Sequence, residues 1–170
     1  MNATRVLVAC VGNIFLGDDG FGVEVAARLA RRPLPDHVRV VDFGIRGLHL
    51  AYELLDGVDR LILVDAAQRG ETPGTVSVLR VPAQQNDGEP APEVPMSPMD
   101  AHDMSPDTVL DLVHALGGSL GEVLVVTCEP QDVGANLGLS DAVLAAVDPA
   151  VDAVERLLTA ELTTSDTSAD

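Results

Sequence analysis

The sequence predicts an α/β fold built on a mostly parallel β-sheet. Two observations carry this. Short Val/Leu/Ile-rich runs alternate with helix-period segments, the β-α-β-α-β pattern of parallel strands joined by right-handed crossovers. The runs are apolar throughout, with no in/out alternation, as strands covered on both faces require. A third observation sets one exception. Only Ala67–Gly74 separates the third run from the next, Thr75–Val81. A parallel crossover needs about a dozen residues, so Thr75–Val81 is expected to run antiparallel.

The elements follow in order. Arg5–Val11 is the first strand, bounded by Gly12 and Asn13. Phe21–Arg32 has helical periodicity and stops at Pro33. Val38–Phe43 is the second strand, Leu48–Leu55 a short amphipathic helix, and Arg60–Ala66 the third strand. After the antiparallel strand comes Pro82–Asp100, long, aperiodic and rich in Pro, Gln and acidic residues. Loops of that length are functional, mobile, or tolerated surface insertions. Ser105–Leu116 is a helix with Ser105 as N-cap, Pro106 at its first position and Gly117–Gly118 as its stop. Glu122–Cys128 is the last strand. Ser140–Thr159 is the last helix, kinked or split by Pro149. Residues 1–162 read as one domain and the small, polar Thr163–Asp170 as a disordered tail.

Composition excludes several functions. The formal net charge is −17, with ten basic residues, so neither a nucleic-acid footprint nor an anionic membrane surface fits. Aromatic residues are 2% of the chain, too few for a base-stacking platform. Every basic residue is Arg, which rules out a Schiff-base lysine, a Ser–Lys dyad and a P-loop. Cys10 and Cys128 lie inside apolar runs and read as reduced core thiols. With no signal-peptide h-region and no run of transmembrane length, a cytoplasmic location is expected.

Ligands of open α/β sheets bind beyond the carboxyl ends of the parallel strands. Three strands deliver carboxylates there: Asp18 and Asp19 after the first, Asp42 at the end of the second, Asp65 at the end of the third. Asp is a poor strand former, so each needs a reason. For Asp42 a helix cap is one. The helix dipole accounts for one of Asp18 and Asp19. His102 follows the long segment and precedes a helix, so it can join the carboxylates. Two carboxylates and one imidazole would make a three-ligand divalent site with a fourth position open. Gly117-Gly118-Ser119-Leu120-Gly121 matches the serine-hydrolase pentapeptide. It leads from helix to strand rather than strand to helix, however, and no His follows it.

The segment VGNIFLGDDGFGVEVAARL resembles the N-terminal signature of the hydrogenase maturation proteases. The resemblance continues through VDFGIRGLHLAYELLDGVDRLILVDA, the GTV strand and AHDMSP to CEP and LGLSDAVLAAV, over nearly the whole chain. It implies a three-layer α/β/α sandwich with a five-stranded sheet, one strand antiparallel. It implies an endopeptidase that removes the C-terminal extension of a [NiFe]-hydrogenase large-subunit precursor after nickel insertion. The nickel is supplied by the substrate rather than permanently bound. The family's metal-contacting residues match Asp19, Asp65 and His102; the first is Glu in some members. In metal-assisted hydrolysis a carboxylate can serve as general base, here Asp42 or Asp19. Asp42-Phe43-Gly44-Ile45-Arg46-Gly47 departs from the family's Asp-Gly-Gly-Thr-x-Gly, a change that falls on substrate contacts. A monomer is expected. The rival readings are a hydrolase with its own bound metal and a non-catalytic chaperone for the large subunit.

Overall fold

The computed structural model describes residues 4–82 and 105–160. The expectations for the long segment beyond Pro82, for His102 and for the tail fall outside these residues. Five strands, β1 (Val6–Val11), β2 (Val38–Gly44), β3 (Val58–Ala66), β4 (Val76–Val81) and β5 (Leu120–Cys128), form one sheet in the order β2-β1-β3-β5-β4. All neighbours are parallel except β4 against β5. The short connection ahead of β4 thus gives the expected reversal.

Helices cover both faces, making three layers. Val6, Val8, Cys10, Ile62, Val64, Leu124 and Val126 face one side, against α1 (Phe21–Leu29) and α5 (Val147–Thr159). Leu7, Ala9, Leu61, Leu63 and Val123 face the other, against α2 (Gly47–Leu55) and α3 (Pro106–Ala115). Each strand shares its residues between two cores, so continuous apolar runs are what the architecture demands. Cys10 and Cys128 are buried free thiols of the first core. Burial, followed by the charges of Asp18 and Glu129, pushes the Cys128 thiol up to about 11. Neither cysteine is a nucleophile in this state.

The expected last helix is two helices, α4 (Asp141–Leu144) and α5, broken at Ala145–Ala146. Pro149 explains the break. It has no N–H for the Ala145 carbonyl, and its ring would strike that group in a continuous helix. In α5 it stands in the first turn, where no donor is needed. Ser140 caps α4, and Ser105 caps α3 through the Thr108 N–H. Gly117, with φ +81°, ends the α3 segment ahead of β5. The serine-hydrolase pentapeptide is therefore a helix stop, at the opposite sheet edge from Asp65.

Gly22 fixes how closely α1 lies on the sheet. A Cβ there would sit 2.2 Å from the Val11 carbonyl oxygen and 2.7 Å from that of Val64. Both obstacles are backbone of the central strands, so α1 would have to lift. Gly22→Ala is expected to destabilise the protein by about 2–3 kcal/mol, read as a lowered denaturant midpoint with an unchanged slope.

Candidate functional site

The carboxyl ends of β1, β2 and β3 meet a cavity of about 240 Å³. Its walls include Gly12, Asn13, Leu16 and Asp19 after β1, Gly44 and Ile45 after β2, Asp65 on β3, and Ser105, Pro106 and Val109 of α3. Asp19 and Asp65, from elements 46 residues apart, therefore face one space. Among the described lining residues none carries a positive charge. His102 lies outside the described residues, three positions before Ser105 in the cavity wall. Among the described residues, no three of His, Cys, Asp and Glu are grouped to hold a metal.

The first loop is built to present Asp19. The Asn13 side chain accepts from the Phe15 N–H at 2.9 Å and its carbonyl from the Leu16 N–H at 3.1 Å, closing a tight turn. The chain then enters a 3-10 turn, Gly17–Gly20. Asp19 Oδ2 accepts from the Asn13 N–H at 2.8 Å, which locks the carboxylate back onto its own loop. Gly12 makes this possible: a Cβ there would lie 2.1 Å from the Asp19 carbonyl oxygen.

Asp65 occupies the last full turn of β3 pleat, on the α2/α3 face. Its Oδ1 accepts from the Ala66 N–H at 2.8 Å. Burial and the nearby Asp19 charge push its carboxyl up to about 8, against the opposing pull of the Ala66 N–H. At neutral pH Asp65 therefore holds a proton.

Asp18 does something else. It has no exposure, and its two oxygens accept from Gln131 N–H (2.8 Å), Asp132 N–H (3.0 Å), Ser140 N–H (2.7 Å) and Ser140 Oγ (2.9 Å). Burial alone would push its pKa up, but these bonds outweigh it and hold the carboxyl below its ordinary value. Asp18 ties the first loop to the segment ahead of α4. Further backbone bonds, Gly17 N–H to Asn136 O at 2.7 Å and Asn136 N–H to Phe15 O at 3.0 Å, complete the seam. The sequence marked Asp18 as one of a pair but held no signal for its distant partners.

Asp42 is not brought to the cavity. It pairs with Cys10 in the β1–β2 register, so its side chain stands on the α1 face, opposite to Asp65. Its charge adds to burial in raising the Cys10 thiol. Asp42 Oδ1 accepts from the Gly44 N–H at 2.8 Å and its carbonyl from Arg46 at 2.7 Å. Gly44 has φ +54°. The carboxylate closes a turn at the end of β2, away from the cavity that Asp19 and Asp65 line.

Around the mouth, Ile14, Phe15, Leu16, Ile45 and Leu137 are exposed. The chain has three Phe; Phe21 and Phe43 are buried, while Phe15 is 64% exposed on a loop held by the seam. Leu16 and Ile45 also line the cavity, so the apolar rim and the acidic interior are continuous.

Comparison with known proteins places this arrangement. The family model for hydrogenase maturation protease matches residues 23–157. A Methanocaldococcus jannaschii protein that carries the name hydrogenase maturation protease provisionally is 32% identical, over 91% of this chain and 96% of its own. The hydrogenase 2 maturation protease of Escherichia coli is 30% identical, over 88% of each chain. Among solved structures, the E. coli hydrogenase maturating endopeptidase superposes with a TM-score of 0.72 at 29% identity, covering 91% of this chain and 92% of that one. A hydrogenase 2 maturation peptidase from a Thaumarchaeota archaeon gives 0.68 at 31%, covering 93% and 100%.

Asp65 generates a pH prediction. Its folded-state pKa, about 8, lies above the ordinary 3.8. Between those values the folded chain holds a proton that the unfolded chain does not. The stability this lends is complete below the lower value and lost as pH rises through the upper. The melting temperature of the wild type should therefore fall from pH 5 to pH 8 more than that of Asp65→Asn, measured in parallel scans.

Proposed function

The chain belongs to the hydrogenase maturation protease family, and from that premise we propose that it is the endopeptidase that removes the C-terminal extension of a [NiFe]-hydrogenase large-subunit precursor, in the cytoplasm, once nickel has been inserted. The nickel is part of the substrate. Asp19, Asp65 and His102 are the groups proposed to grip it.

The observation that carries this reading is a charge deficit. Two carboxylates share a 240 Å³ cavity whose described walls offer no cation, and burial followed by the Asp19 charge pushes the Asp65 carboxyl up to about 8. A divalent ion entering with the substrate would displace the Asp65 proton and compensate both oxygen ligands. Carboxylate oxygens and an imidazole suit a first-row divalent ion without selecting nickel by affinity. Selection then lies in what the precursor carries, and cleavage becomes a check on metal insertion. The proton-accepting role passes to Asp19. One of its oxygens is held by the Asn13 N–H, and the other accepts no hydrogen bond among the described residues. An ion bound near the scissile peptide can polarise the carbonyl or lower the pKa of water, with a carboxylate as base.

The exposed apolar rim supports a macromolecular substrate. Patches of this kind on an otherwise charged surface mark protein contact sites, and this one runs into the cavity.

Incubation of nickel-loaded precursor with the purified protein should shorten the large subunit, read by its mass. Asp19→Asn and Asp65→Asn should keep the fold, by circular dichroism, and lose cleavage by at least about 100-fold. Nickel-free precursor should remain uncut; its efficient cleavage, or a stable complex with no shortened product, would overturn the proposal. Phe15→Ser tests the rim. It should leave the melting temperature within a degree or two and raise KM for the precursor about tenfold with kcat little changed.

A further inference from the structure

Thr127 is a buried polar residue with no evident purpose. Thr127 is 2% exposed and its Oγ1 has no hydrogen-bond partner among the described residues. Leaving a buried hydroxyl unpaired costs about 1–3 kcal/mol, and a valine has the same shape without that cost. On β5 the neighbouring inward positions are valines, Val123 and Val125.

Its location supplies a reason. Thr127 is the lateral partner of Asp65 in the parallel β3–β5 register. Adjacent strands lie about 4.8 Å apart and register partners project to the same face. Thr127 therefore stands beside Asp65 on the α2/α3 face, behind it rather than in the cavity wall. The other lateral neighbour, Ser77 on β4, has its hydroxyl bonded to Glu71 at 3.1 Å. Asp65 uses Oδ1 for the Ala66 N–H. Its other oxygen accepts no hydrogen bond among the described residues and is open to a donor alongside.

We propose that Thr127 is a positioning residue for Asp65: its unpaired hydroxyl, placed alongside by the β3–β5 register, donates to the Asp65 carboxylate when that group meets the substrate's cation, and holds it aimed into the cavity. This rests on the reading of Asp65 given above. The free protein carries an unsatisfied hydroxyl so that the substrate complex can be complete. Thr127 touches neither ion nor peptide and acts only through its neighbour.

Stability and activity should then move in opposite directions. Thr127→Val should melt at the wild-type temperature or a few degrees above it, yet cleave nickel-loaded precursor about tenfold more slowly, mainly through kcat. Thr127→Ser, which restores the donor, should recover most of the rate. In an Asp65→Asn background, Thr127→Val should add no further loss. Wild-type cleavage by Thr127→Val would show the hydroxyl to be idle. Parallel loss of melting temperature and rate in both Val and Ser variants would show a packing role. Either result overturns the proposal. Normal cleavage by Asp65→Asn alone would instead overturn the reading of Asp65 beneath it.

Discussion

Asp18 is the constraint on which the site rests. A fully buried carboxylate is unfavourable unless its charge is met by donors, and here three backbone N–H groups and one hydroxyl from a segment more than a hundred residues away supply them. The bonds run in both directions. The 131–140 segment cannot hold its conformation without an acceptor at its centre, and the first loop cannot hold Asp18 inward unless that segment is in place. Asp19, the next residue, is forced outward toward the cavity by the same turn. One member of the pair is consumed as structure, and the other is held facing the cavity.

Asp18 in the seam and Asp65 in the cavity show opposite conditions. Asp18 is ionised because hydrogen bonds surround it; Asp65 is kept protonated because burial and a like charge oppose ionisation. The difference lies in supply of donors, not in residue type. A pocket with unmet negative potential is poor at binding anything anionic and ready for a cation brought from outside. This suits the proposed reading, in which the metal arrives with the substrate.

Most of the sheet was legible because strands buried on both faces have an unmistakable composition, and because a short connection such as Ala67–Gly74 allows only one strand direction. Asp19 and Asp65 could be nominated because strand ends in such sheets converge. Asp42 could not be sorted from them. Side-chain parity along β2 puts Val38, Val40 and Asp42 on one face, but which face of the sheet that is depends on its register with β1. A shift of one residue would reverse the answer. The Asp18 seam was hidden for a different reason: it joins two irregular segments, and irregular segments have no periodicity to read. Thr127 was hidden because its meaning lies wholly in which residue stands beside it.

The sheet order has a consequence for how the molecule breathes. Asp19 and Asp65 hang from β1 and β3, which have strands on both sides, whereas β2 and β4 are edges with one neighbour each. Edges open first in native-state fluctuations and central strands last. Amide exchange should thus be slowest in the ladder that carries both carboxylates, with the margins loosening around a centre that stays shut. A partner that strains the periphery as it docks would leave the chemistry undisturbed.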